Sequence, residues 1–180
     1  LDPLKKTILV TGGSLGAGTL NKAVEKHLAE IIAQDVQVIW QTGKFYYKGI
    51  VERLCLDHHP NVRILEFLNQ MDLAYAASDV IISRAGAGTI AELCLIKKPV
   101  ILVPSPNVAE DHQTKNALAL VKENAAILIA DTAAEDTLVK KALELLNDKE
   151  KSAKLSENIG KMAFANADEV IAKEVLKLIK

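Results

Sequence analysis

Ile81-Ile82-Ser83-Arg84-Ala85-Gly86-Ala87-Gly88-Thr89-Ile90-Ala91-Glu92 is the stretch that decides how this chain reads. An apolar run stops, two glycines follow, and a helical pattern begins, so the stretch is strand, loop and helix in turn. Gly86 and Gly88 carry no side chain where the backbone must turn. A ligand can therefore approach the exposed N–H groups at the helix start, where the dipole favours an anion. A phosphate is the expected occupant. Thr89 and Glu92 also have the T-x-x-E spacing of a capping box, with Thr89 as the N-cap, and capping is compatible with ligand binding.

Working outward, the same pattern recurs on the amino-terminal side. Thr7 to Thr11 is a β-branched apolar run ended by Gly12-Gly13, and Leu20 to Ile32 then places apolar residues at helical spacing. Val36 to Trp40 reads as the next strand, Tyr46 to Leu56 as a helix, Val62 to Leu65 as a strand and Met71 to Ala77 as a short helix. Val80 to Ser83 is apolar throughout, as in strands covered on both faces. Beyond the quoted stretch, Val100 to Val103 repeats that pattern and runs into the rigid loop Pro104-Ser105-Pro106-Asn107. His112 to Lys122 is helical and Ala126 to Ile129 a last strand. Helices follow at Leu138 to Leu146, Ser152 to Met162 and Asp168 to Ile179. That final helix carries Val170, Ile171, Val175, Leu176 and Ile179 among charges, and so has a face to bury.

Strands alternating with helices predict an α/β fold: one Rossmann-like, doubly wound parallel sheet of about six strands with helices on both faces. In the strand order 3-2-1-4-5-6, strands one and four are neighbours. The loops after Thr11 and after Ser83 then face each other at the switch point where such folds bind ligands.

The composition narrows the function. A chain of 180 residues with 49% hydrophobic positions forms one domain with a proper core. A net charge of −1 without a Lys/Arg block argues against nucleic acid. No apolar run approaches the roughly 20 residues of a membrane span, and no signal-peptide pattern opens the chain. A cytoplasmic protein is expected. Cys55 and Cys94 are far apart, so reduced thiols are the default. Leu1-Asp2-Pro3, lacking an initial Met, points to a piece of a longer protein.

Gly12-Gly13-Ser14-Leu15-Gly16-Ala17-Gly18 fits neither G-x-G-x-x-G nor the Lys-Ser/Thr ending of a P-loop. Gln41-Thr42-Gly43 stands where a dinucleotide site wants a ribose-binding acid. Gly86 to Ala91 matches the looser G-x-G-x-x-A form, but on the fourth strand, so NAD is disfavoured. Cys55, Asp57, His58 and His59 could suggest a metal, but consecutive histidines before Pro60 rarely both face one ion. His27 reads as solvated, Lys97 and Lys98 as helix C-terminal charges, and Arg84 as a partner for either a phosphate or a carboxylate.

Three segments in order carry a resemblance: Val10-Thr11-Gly12-Gly13-Ser14-Leu15-Gly16-Ala17, Ser83 to Thr89 with Glu92, and Asp111-His112-Gln113-Thr114-Lys115-Asn116-Ala117. Together they resemble the C-terminal, donor-binding half of the MurG family of GT-B glycosyltransferases, over essentially the whole chain. The resemblance implies transfer of GlcNAc from UDP-GlcNAc to the undecaprenyl-linked acceptor lipid I, making lipid II for peptidoglycan. It implies that the backbone around Phe67 and Leu68 reads uracil and that Glu92 accepts from the ribose hydroxyls. Gly86, Ala87, Gly88 and Thr89 would meet the diphosphate, with Ser14 and the Gly13 and Gly16 backbone closing over it. His112, Gln113 and Asn116 would bind the GlcNAc hydroxyls. The sequence departs from some members at His112, where they carry Gln, and at Gly88, where they carry a bulkier apolar residue.

A UDP leaving group needs its developing charge stabilised, which helix-start amides supply without a metal. No Asp-x-Asp pair follows a strand, so neither metal nor cofactor is expected. The general base and the lipid I site would lie in an N-terminal domain outside this chain, leaving no catalytic residue here and an inactive fragment. Membrane contact, at the cytoplasmic face of the inner membrane, is expected only of the full-length enzyme. The alternatives are another GT-B enzyme such as a UDP-GlcNAc 2-epimerase, a stand-alone catalytic subunit, or a non-enzymatic nucleotide-sugar-binding module.

Overall fold

A computed structural model describes residues 1–55 and 59–179. Six strands, β1 (Thr7–Thr11), β2 (Gln37–Gln41), β3 (Val62–Leu65), β4 (Val80–Ser83), β5 (Val100–Leu102) and β6 (Ile127–Leu128), form one sheet in the order β3-β2-β1-β4-β5-β6. Every pairing is parallel, and Thr11 lies opposite Ser83. Helices α1 (Gly18–Ala33), α2 (Lys44–Leu54), α3 (Met71–Ala77), α4 (Ala87–Ile96), α5 (His112–Lys122), α6 (Asp131–Asn147), α7 (Lys149–Lys161) and α8 (Ala167–Leu178) connect or follow them. This is the doubly wound order expected from the alternation of elements.

The period-two alternation of strand side chains divides the core in two. Ile8, Val10, Val38, Trp40, Ile82 and Ile101 meet α1 and α6 through Leu20, Val24, Leu28, Leu138 and Val139. Leu9, Ile39, Ile81, Val100 and Leu102 face the other way, onto Tyr75 of α3, Leu93 of α4 and Leu120 of α5. Both faces are dry, which is why β1, β4 and β5 read as continuous apolar runs.

Element boundaries follow the periodicity wherever apolar residues mark them. Strand β2 is shifted one residue onward, and α6 begins at Asp131 rather than Leu138 because its first turns bury only the small Ala134. The expected helix end at Leu56 and the Asp57 and His58 of the imagined metal cluster lie outside the described residues. One further expectation changes, and the helix-end reading of Lys97 holds. His27 is not merely solvated: Nδ1 meets Glu30 at 2.8 Å and Nε2 meets the Glu135 carbonyl at 3.1 Å, joining α1 to α6. Lys97 ends α4 in the left-handed region, with its stem against Gly160 of α7. Helix α8 has its ion pairs Lys173–Glu169 and Lys177–Glu174, but buries none of its residues. No helix among the described residues is long and apolar enough to cross a membrane.

Trp40, fully buried, donates its indole N–H to Asn21 Oδ1 at 2.9 Å, and Asn21 Nδ2 donates to the Thr42 carbonyl at 2.9 Å. These bonds satisfy buried polar groups and dock the start of α1 on the end of β2. The docking brings two loops into backbone contact at Gly16, whose φ is +79° and whose added Cβ would stand 1.9 Å from the Thr42 carbonyl oxygen. No other residue fits there. Gly88, by contrast, lies in helical backbone with open space around it. Gly16→Ala is therefore expected to cost on the order of 2–4 kcal/mol, a Tm loss of roughly 5–15 °C. Gly88→Ala should hold or gain about 0.5 kcal/mol. Calorimetry on both variants checks this; a Gly16→Ala domain melting like the parent would show that the loops do not touch in solution.

Candidate functional site

The parallel pairing of β1 with β4 makes two loops leave the sheet side by side. The first, Gly12 to Ala17, is braced from β2: Gln41 Oε1 accepts from Thr11 Oγ1 at 2.8 Å while Gln41 Nε2 donates to the Gly13 carbonyl at 2.8 Å. Gly16 N–H closes the turn on the Gly13 carbonyl at 2.9 Å. Gln41 thus holds the loop from the position where a dinucleotide site would have an acid. The N–H groups of Ser14 and Leu15 meet no protein acceptor among the described residues.

The second loop runs from Arg84 to Gly86 into α4. Gly86 is the N-cap and has no side chain, so the amides of Ala87, Gly88 and Thr89 open the helix without a side-chain cap. This corrects the capping-box reading: Thr89 is the third residue of α4, and neither it nor Glu92 caps the helix. Glu92 Oε2 instead accepts from the Tyr75 hydroxyl at 2.9 Å. Burial, with the Glu92 hydrogen bond and charge, pushes the Tyr75 phenol well above its ordinary pKa, so Tyr75 stays a donor. Glu92 itself is exposed, leaving Oε1 open to a ligand hydroxyl.

Gln113 and Asn116 sit in the first turns of α5 and were expected to face a sugar. Their side chains do other work first. Gln113 Oε1 accepts from Ser105 N–H at 2.9 Å and Ala85 N–H at 3.3 Å, and Asn116 Nδ2 donates to the Ala85 carbonyl at 3.1 Å. Because both partners of Gln113 Oε1 are donors, its amide orientation is determined, and Nε2 is what remains for a ligand. His112 is exposed with Nδ1 on the Ala109 carbonyl at 2.8 Å, leaving Nε2 outward.

Between the loops lies a cleft of about 410 Å³. It gathers Gly13, Ser14, Gly16, Gly86, Thr89 and Gln113 of the predicted set, and among the described residues no carboxylate lines it. Phe67 and Leu68 line a separate, shallow cleft of about 640 Å³ beside Ile39, Leu65 and Leu73. Ala87, Gly88, Glu92, His112 and Asn116 line neither. Tyr46, Ser105 and Asn107 also line the first cleft and were missed. The Pro104 to Asn107 loop was legible as rigid and exposed, but nothing local ties it to Gly86. A third cleft of about 460 Å³, between Leu1–Thr7 and Ala76–Asp79, lies at the opposite ends of the strands, away from the switch point.

Arg84, left open between phosphate and carboxylate, has a protein partner. Its Nη1 meets Asp131 Oδ1 at 2.5 Å and the carbonyls of Val103 and Pro104 at 3.0 and 3.1 Å, while the side chain still lines the cleft.

The chain is 54% identical to a UDP-N-acetylglucosamine–N-acetylmuramyl-(pentapeptide) pyrophosphoryl-undecaprenol N-acetylglucosamine transferase of Bacteroides thetaiotaomicron, over 99% of this chain and 48% of that protein. It is 46% identical to the protein of the same description from Flavobacterium psychrophilum, over 100% of this chain and 48% of that one. The chain thus spans about half the length of the curated relatives it matches. The crystal structure of Acinetobacter baumannii MurG superposes with a TM-score of 0.82 at 26% identity, over 98% of this chain and 51% of that one. An S. aureus MnaA structure with UDP shares the fold, with a TM-score of 0.74 at 19% identity, over 97% of this chain and 46% of that one. The model of the glycosyltransferase family 28 C-terminal domain matches residues 7–174, so the chain belongs to the glycosyltransferase family 28 C-terminal domains.

Proposed function

We propose that this domain is the donor-binding half of an inverting glycosyltransferase, holding UDP-GlcNAc while GlcNAc passes to lipid I. The observation that carries the reading is the cleft at the β1–β4 switch point, lined by the Gly12–Ala17 loop with its unpaired Ser14 and Leu15 N–H groups and by Gly86 and Thr89 at the start of α4, with no carboxylate lining it among the described residues. Such a site is built for an anion. The relatives' descriptions name the sugar and the acceptor.

As the C1–O bond of the donor breaks, negative charge grows on the diphosphate. Amides held in place by Gln41 and Gln113 stabilise it without reorganising. Glu92, steadied by Tyr75, uses Oε1 for a ribose hydroxyl, and the Phe67–Leu68 backbone beside the second cleft reads uracil. Gln113 Nε2, Asn116 Oδ1 and His112 Nε2 take the GlcNAc hydroxyls. The proton of the attacking acceptor hydroxyl goes to a base supplied by the other half of the enzyme, which also holds lipid I and touches the cytoplasmic membrane surface. The exposed apolar residues of α8, including Ile171 and Leu176, pack against that half.

Calorimetric titration should show UDP binding to the 180-residue chain, and a transfer assay should show no product until an N-terminal half is added. Absence of UDP binding, or full transfer by this chain alone, overturns the reading. Glu92→Ala should weaken UDP by about 10- to 100-fold, the worth of one or two hydrogen bonds to a charged group, with a modest loss of Tm because the buried Tyr75 gives up its hydroxyl's acceptor. The loss should largely vanish when UDP is replaced by a nucleotide lacking the ribose hydroxyls. An equal loss for both nucleotides would remove Glu92 from the ribose.

A further inference from the structure

We propose that Arg84 and Asp131 are positioning residues that lock the three loops around the cleft into one anion-binding shape, an inference that rests on the diphosphate reading above. Arg84 directly precedes the Ala85–Gly86 turn. From there its Nη1 reaches the Val103 and Pro104 carbonyls, which begin the loop after β5, and Asp131 Oδ1 at 2.5 Å. Asp131 uses its second oxygen, Oδ2, to accept from Thr19 Oγ1 at 2.9 Å. Thr19 is the second residue of α1, two positions beyond the end of the Gly12–Ala17 loop. One carboxylate therefore receives a donor from each of the two glycine loops' flanks, and the same guanidinium holds the third loop.

The pair is mostly buried, with side-chain exposures of 13% for Arg84 and 19% for Asp131. Burying an ion pair costs desolvation that apolar packing would avoid, so this arrangement is a poor device for stability alone. It is a good device for geometry, because an Nη1 held at once by a carboxylate and two carbonyls has little freedom to shift. Asp131 is the first residue of α6, where the helix dipole favours its charge. Asp131 does not line the cleft, whereas Arg84 does. Its influence on a bound anion must pass through Arg84 and Thr19. With the loops already fixed, binding a diphosphate does not have to order them, and the affinity is correspondingly higher.

The test compares UDP with uridine, which shares the base and ribose but lacks the phosphates, by NMR titration of the 180-residue chain and its variants. Asp131→Ala should weaken UDP about tenfold or more and leave uridine affinity unchanged. Thr19→Val unpairs no charge and keeps the fold; it should weaken UDP about threefold, again without effect on uridine. Arg84→Lys should fall between the parent and Arg84→Ala, since the lysine side chain is one bond shorter and does not carry its nitrogen to the place of Nη1. If Asp131→Ala does not fold, Thr19→Val and Arg84→Lys carry the test. Parental UDP affinity in Asp131→Ala and Thr19→Val overturns the proposal, even if Arg84→Ala loses UDP, because Arg84 would then act by direct contact. Equal losses for UDP and uridine overturn it too, since they would mark a general loss of structure. A parent that binds uridine and UDP equally refutes the diphosphate reading itself, which separates the two failures.

Discussion

The parallel pairing of β1 with β4 is the constraint on which the rest of this domain depends. It sets Thr11 beside Ser83, so that both strands end at the same level and both glycine loops emerge there together. A shift of either strand would separate the two sets of backbone amides and leave two unrelated turns. The pairing is secured by burial on both sides. Ile8 and Val10 of β1, with Ile82 of β4, face α1 and α6, while Leu9 and Ile81 face α3, α4 and α5. Breaking the register would expose apolar surface on two faces at once, at about 25 cal/mol for each Å².

Around that junction, side-chain amides and one ion pair do the work that regular secondary structure cannot. Gln41 braces the first loop, Gln113 and Asn116 brace the second and tie it to the third, and Arg84 joins all three to Asp131. In each case a long polar side chain satisfies backbone groups that a loop would otherwise leave unpaired. The amides of Ser14, Leu15 and the first turn of α4 are not satisfied in this way. The result is a rigid frame with a small number of free donors at its edges, which suits an anion better than a flexible loop does.

The same division explains why residues expected to touch the ligand are partly structural. Gln113 has two faces, one holding Ser105 and Ala85 and the other open; Glu92 likewise gives Oε2 to Tyr75 and keeps Oε1. A group held on one side by the protein meets a ligand with its rotamer already chosen. That economy is invisible in a motif, where a Gln or a Glu appears as a single contact.

The linear order of residues was enough for the fold. Apolar runs of strand length alternating with helical periodicity determined six parallel strands, their order and the facing of the two glycine loops, because burial on two faces writes itself into each segment locally. Elements without that imprint were read poorly, as the late start assigned to α6 shows. The motifs with Ser14 and Gly86 pointed to the cleft those residues line, since close backbone approach needs particular residue types at particular spacings. Only the tertiary structure decided who holds whom. Thr89 and Glu92 had the spacing of a cap, but α4 starts at Ala87 and Glu92 found Tyr75 instead; Arg84 had two plausible partners until α6 brought Asp131 beside it. Those partners lie 17 and 47 residues away along the chain. Local pattern carries no record of contacts that distant, because they exist only once the sheet and its helices have assembled.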